Sequence, residues 1–117
     1  MHWWHLLFIL LSGISLNLMA STQDEINHLL KYVESTQCQY ERNGEMHNGV
    51  EAVEHINRKY DYFKKKIDSS EDFIKYSATR SKLSGNYYMI HCDGQGPVRS
   101  QDWLLQELRR YRDAKKQ

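Results

Sequence analysis

"YYMIHCDGQGPVRSQDWLLQEL", residues 87–108, decides the fold. Its first six residues are rich in Tyr and Ile and bounded by Gly85-Asn86 and Asp93-Gly94, which reads as a β-strand. From Ser100 onward, Trp103, Leu104, Leu105, Leu108 and Tyr111 supply the apolar side of a helix, with Ser100 expected as its cap. A strand passing through a glycine-rich loop into a helix is also the plan of a phosphate-binding motif. The residues argue otherwise. A dinucleotide fingerprint needs three glycines, the third for close helix–strand packing, and this loop has Gly94 and Gly96 followed by Pro97. A P-loop needs a Lys after its last glycine, and none is present. Asp93-Gly94 and Gly96-Pro97 are turn chemistry. The loop is therefore expected to be a corner, with Cys92 closing the strand.

Upstream, Asn43-Gly44 lies between two extended segments, the strongest short hairpin signal because a type I′ turn wants positive φ at both positions. That register sets Arg42 opposite Glu45 and Tyr40 opposite His47. Cys38, Tyr40 and Arg42 then share one face, with Gln39 and Glu41 on the other. Helical signals surround the hairpin. Thr22-x-x-Glu25 is a capping box followed by Ile26, Leu29, Leu30 and Val33 on one helical face. Asn48-x-x-Glu51 opens a second helix, with Val53, Ile56, Tyr60, Phe63 and Ile67 as its stripe. Glu54–Arg58 and Asp61–Lys65 are spaced as i,i+4 ion pairs. Ser69-x-x-Asp72 starts a shorter helix carrying Phe73, Ile74 and Ala78. The strands are too few for a doubly wound sheet. The expected class is α+β: about four helices packed on a small three-stranded antiparallel sheet, with one disulfide.

The chain has 117 residues and a net charge of +1, one small domain with no bulk attraction for nucleic acid. Residues 1–20 contain no Lys, Arg, Asp or Glu, and "LLFILL" (6–11) precedes "SGISLNLMA" (12–20). This pattern reads as a secretory signal peptide cleaved after Ala20, leaving a single domain, 21–117, and no stable membrane span. The rival is a signal anchor, against which Ser12, Gly13, Ser15 and Asn17 interrupt the apolar run. Domain 21–117 holds two cysteines, Cys38 and Cys92. In an exported domain an even pair suggests a disulfide, with two buried thiols as the alternative. If bonded, Cys92 pairs strand 87–92 antiparallel with strand 38–42, putting Ile90 near Tyr40 and Tyr88 near Arg42. Tyr88, Ile90 and Cys92 then face the helices, while Tyr87, Met89 and His91 face outward.

Catalytic and metal signatures are sparse. There is no H-E-x-x-H, no C-x-x-C and no G-x-S-x-G, and no two of His28, His47, His55 and His91 stand i,i+4 on one helix. Glu54-His55, with Lys59 one turn on, could form an acid/base cluster; a solvated flank beside the core stripe is the plainer reading. Charge is uneven. Residues 21–56 carry two basic and seven acidic groups, whereas residues 58–67 carry five basic and one acidic, including Lys64-Lys65-Lys66. A basic patch of that kind could meet an anionic envelope surface, although charge runs are commonly solvated helix faces. Tyr is abundant at eight residues, which suits a binding surface or a small sheet equally.

"INHLLKYVESTQCQYERNG", "AVEHINRKYDYFKKKI", "EDFIKYSATRSKLSGNYYMIHC" and "WLLQELRRYR" together resemble the YfeK-like family of small exported bacterial proteins that carry a domain of unknown function. The resemblance covers nearly all of residues 21–117. It implies an envelope location, a Cys38–Cys92 pair and no assigned activity. Matching positions are Arg42-Asn43-Gly44, His55, Lys59-Tyr60, Ser84-Gly85 and Trp103-Leu104. Most of these have structural reasons. Arg42, His55 and Lys59 have none in the sequence, and they form the candidate binding surface, expected to be accessible and of little consequence for stability. The expected function is a non-enzymatic binding or accessory module of the bacterial envelope. It uses no cofactor, metal or nucleic acid, and its partner is another envelope protein or an anionic envelope surface. The alternatives are a small envelope-polymer enzyme using Glu54, His55 and a serine near Ser84, and a metal carrier.

Overall fold

The Asn43-Gly44 hairpin organises the sheet as its turn chemistry dictates. In the computed structural model, which describes residues 21–116, Asn43 and Gly44 have φ of 52° and 83°. They join β1 (Gln39–Arg42) to β2 (Glu45–His47). Arg42 pairs with Glu45 and Tyr40 with His47. The third strand, β3 (Met89–His91), pairs antiparallel with β1, setting Ile90 opposite Tyr40. Cys38 and Cys92 continue that register and are bonded, with Cα atoms 4.4 Å apart. Tyr88 and Ile90 are buried beneath the helices and Tyr87 is exposed. His91 faces away from the core, its Nε2 in hydrogen-bond contact with the Glu41 carboxylate on the neighbouring strand.

The sheet has four strands rather than the expected three, in the order β2-β1-β3-β4. The addition, β4 (Val98–Arg99), pairs with β3, so the glycine-rich loop is a hairpin turn rather than a corner. Gln95 N–H donates to the Cys92 carbonyl, and Gly94 supplies a φ of 75°. Two residues are too short to carry an alternation signal; the free edge of β3 is what defines β4. The helix after it, α4 (Ser100–Lys115), is capped by Arg99 without a side-chain bond. Ser100 is not the cap but the first helical residue, fully buried, with its Oγ 2.9 Å from the Tyr40 hydroxyl. Burial holds the Tyr40 phenol well above its ordinary pKa, so it remains neutral.

The other helices follow their periodicity. The first, α1, covers residues 21–34; it is already helical at residue 21, so Thr22 lies within it rather than capping it. Ile26, Leu29 and Val33 are its buried face. The second, α2 (Gly49–Phe63), has the Asn48/Glu51 capping box intact. It ends earlier than its apolar stripe, passing through a 3₁₀ turn at Lys64–Lys66 before Ile67 rejoins the core. The third, α3 (Ser70–Ser77), is capped by Ser69. A Cβ on Gly49 would lie 2.2 Å from the Val33 carbonyl oxygen, so the start of α2 sits directly on the end of α1 and requires glycine there. The core joins these faces to Phe73, Ile74, Ala78, Leu104 and Leu108. At its edge, Arg112 of α4 bridges Glu25 of α1 and Glu71 of α3. The proposed leader and its cleavage site lie outside the described residues. Among the described residues, no helix is long and apolar enough to cross a membrane.

Candidate functional site

Arg42, His55 and Lys59 converge. Arg42 ends β1 at the hairpin turn, His55 and Lys59 stand one turn apart on α2, and Tyr88 is the residue just before β3. Arg42 Nη1 lies 2.7 Å from His55 Nδ1, and His55 Nε2 lies 3.0 Å from the Tyr88 hydroxyl. Lys59 Nζ donates to the same hydroxyl at 3.2 Å and to the Arg80 carbonyl at 2.7 Å.

Donor counting assigns the protons. A guanidinium only donates, so His55 Nδ1 must be the acceptor. The imidazole is then neutral with its proton on Nε2, which donates to Tyr88 Oη. With Lys59 donating to the same oxygen, both lone pairs of that hydroxyl are taken and its own proton is left as a donor. The electrostatics agree. Partial burial, then the cations Arg42, Lys59 and Arg58, lower the His55 pKa to about 4. Burial, followed by Arg42 and Lys82, lowers that of Lys59. Burial likewise raises the Tyr88 phenol.

These residues line one end of a cleft of about 350 Å³. Arg58 and Lys82 join Arg42 and Lys59 there, while Tyr62, Phe63 and Leu83 supply an aromatic and apolar wall. No carboxylate lines the cleft, and among the described residues none of its four cations forms an ion pair. The expected Glu54–Arg58 pair does not form, which leaves Arg58 for the cleft; Asp61–Lys65 does not form either. The far wall is tied down through the hairpin turn: Ser84 Oγ donates to Asn43 Oδ1 at 2.7 Å, and Asn43 Nδ2 reaches Ser81 Oγ at 3.4 Å.

Two expectations change as a result. Arg42, His55 and Lys59 are partly buried and held in one bonded group, Arg42 to His55 directly and Lys59 to His55 only through the Tyr88 hydroxyl, rather than freely accessible. Glu54, His55 and Ser84 do not form a catalytic constellation: both His55 nitrogens are engaged, Ser84 is bonded to Asn43, and Glu54 is exposed. Both cysteines are in the disulfide, and among the described residues no group of three His, Cys, Asp or Glu could hold a metal ion. Sequence reasoning missed Arg58, Lys82 and Tyr88 as cleft residues. The helical part had a readable signal, since His55, Arg58, Lys59 and Tyr62 step by i, i+3, i+4, i+7 along one face.

The chain is 33% identical over 73 residues to the uncharacterized protein YfeK of Salmonella typhimurium. That match covers 62% of this chain and 61% of the relative's length. No solved structure matches. The model of a family of unknown function, DUF5329, matches residues 20–112, nearly the whole described domain. The chain belongs to the DUF5329 family, in which the YfeK-like resemblance of its motifs is confirmed and whose function is unknown.

Proposed function

We propose that this protein is an exported, non-enzymatic binding or accessory module of the bacterial envelope that holds an anionic group in the Arg42–His55–Lys59 cleft. One observation carries the reading: four cations line a single concavity with no lining carboxylate and no ion pair among the described residues. Like charges drawn together in a half-buried site repel one another, and an anion relieves that repulsion. The cleft offers charged donors from Arg42 and Lys59 and a phenolic donor from Tyr88, the donor set that carboxylate and phosphate oxygens accept. His55 serves as a neutral spacer: its Nδ1 orients Arg42 and its Nε2–H orients Tyr88. The Cys38–Cys92 bond is compatible with an oxidising compartment, and the uncharged, apolar opening of the sequence supports export with cleavage after Ala20.

Titration calorimetry with inorganic phosphate and with citrate tests the cleft. Saturable binding is expected, weakened about tenfold or more by Arg42→Gln, which removes a charge-assisted donor. Absence of heat with either anion, or equal affinity in the variant, sinks the reading. Intact mass of the protein in a periplasmic fraction tests export; retention of Met1–Ala20 on a membrane-bound species removes that part of it.

A further inference from the structure

The cleft is one end of a larger surface. Two further concavities adjoin it, and all three share Phe63 and Lys82. Together they add Lys64, Lys65, Lys66, Lys75 and Arg80 to the four cations of the cleft, against the single carboxylate Asp61. Nine of the chain's sixteen basic residues thus line these three concavities with one of its fifteen acidic residues, in a protein of net charge +1. Within the basic field lie the two most exposed large apolar side chains of the described residues, Leu83 at 100% and Tyr62 at 71%. Lys82 packs on Tyr62, its Nζ 4.6 Å from the centre of the ring and donating to the Tyr62 hydroxyl at 3.1 Å.

We infer that this face docks on an anionic lipid bilayer, with Leu83 and Tyr62 entering the headgroup boundary and Lys64, Lys65, Lys66 and Lys82 meeting lipid phosphates. The inference rests on the anion-binding reading of the cleft and names the source of the anion as a lipid headgroup. Charge alone would suit any polyanion. The apolar residues decide between occupants: a soluble polyanion leaves Leu83 in water, whereas a bilayer takes a leucine, a tyrosine ring and the flanking lysines at successive depths of its interface. Lys64, Lys65 and Lys66, in the 3₁₀ turn that ends α2, line the same concavity as Tyr62.

Vesicle co-sedimentation tests this, using protein recovered from expressing cells with its N-terminus defined by intact mass. Every variant shares that N-terminus, so any contribution from it cancels. Vesicles of phosphatidylcholine with phosphatidylglycerol should bind the protein far better than phosphatidylcholine alone, and salt should weaken the binding. Replacing Lys64, Lys65 and Lys66 together with Gln should lower partitioning about a hundredfold. Leu83→Ser, which keeps every charge, should lower it about tenfold. Both substitutions are at exposed positions, and unchanged circular dichroism will verify that the variants remain folded. Equal binding to neutral vesicles, or full binding by Leu83→Ser, overturns the inference, and in the second case the binding is adsorption by charge alone, without entry of the apolar residues. Phosphate binding in solution without vesicle binding overturns the docking surface and leaves the cleft reading intact; vesicle binding without phosphate binding overturns the cleft reading and, with it, the inference that rests on it.

Discussion

Acidification should destabilise the protein through His55. The imidazole is partly buried and lies near the charges of Arg42, Lys59 and Arg58 and near His47, so its pKa falls from the ordinary 6.5 to about 4. The sign follows by linkage. The unfolded chain binds this proton near pH 6.5 and the folded chain only near pH 4, so the unfolded state holds more protons between those values. His55 therefore contributes stability that is complete above the unfolded pKa and is lost as pH falls toward the folded one. From pH 7 to pH 5 the undiscounted arithmetic gives about 2 kcal/mol. The side chain is only partly buried, and solvent screening reduces the expectation to about 1 kcal/mol. Arg112 and Arg110 hold Glu25, Glu71 and Glu107 below their ordinary 4.5, so those carboxylates act mainly under this window. Urea unfolding of wild type and His55→Gln at pH 7 and pH 5 isolates the effect, because glutamine offers an acceptor and a donor but does not titrate. The wild type should lose about 1 kcal/mol more than the variant over that interval. An identical loss in both proteins, or a wild type that gains stability on acidification, would refute the proton assignment and with it the neutral tautomer on which the cleft depends.

Other consequences are checked by simpler measurements. Thiol titration of the denatured, unreduced protein should find no free cysteine; replacing Cys38 and Cys92 by Ala should cost roughly 4 kcal/mol in urea unfolding, from the 54-residue separation they close. Gly49→Ala should lower the thermal midpoint by several degrees, because the added methyl meets backbone oxygens of Val33 and Glu34 that cannot rotate away; an unchanged midpoint would mean that the α1–α2 junction can slide. Tyr88→Phe should cost about 1–2 kcal/mol, since it strips a shared acceptor from His55 and Lys59 at once, and it should weaken phosphate binding in calorimetry.

What lay in the sequence was whatever neighbouring residues decide among themselves. Asn43-Gly44 has few backbone alternatives, so its turn, the Arg42–Glu45 pairing and the division of side chains between faces were readable locally. The Asn48–Glu51 and Ser69–Asp72 starts were readable because a cap bonds within three residues of itself. The cysteine pair extended this reach, carrying the hairpin register onto β3 and placing Ile90 opposite Tyr40. Tertiary structure decided the rest. A two-residue β4 exists only because β3 offers an edge. Ser100 gave up a cap for a hydroxyl in the core because Tyr40, sixty residues away, needed a partner there. Arg42, His55 and Lys59 were found one by one, but their meaning was not: only packing the end of β1 against α2 and Tyr88 makes them one half-buried bonded group. Burial and like-charge crowding, the two causes that hold His55 neutral and leave four cations facing an open cleft, are properties of distances between segments, and no local pattern encodes those distances.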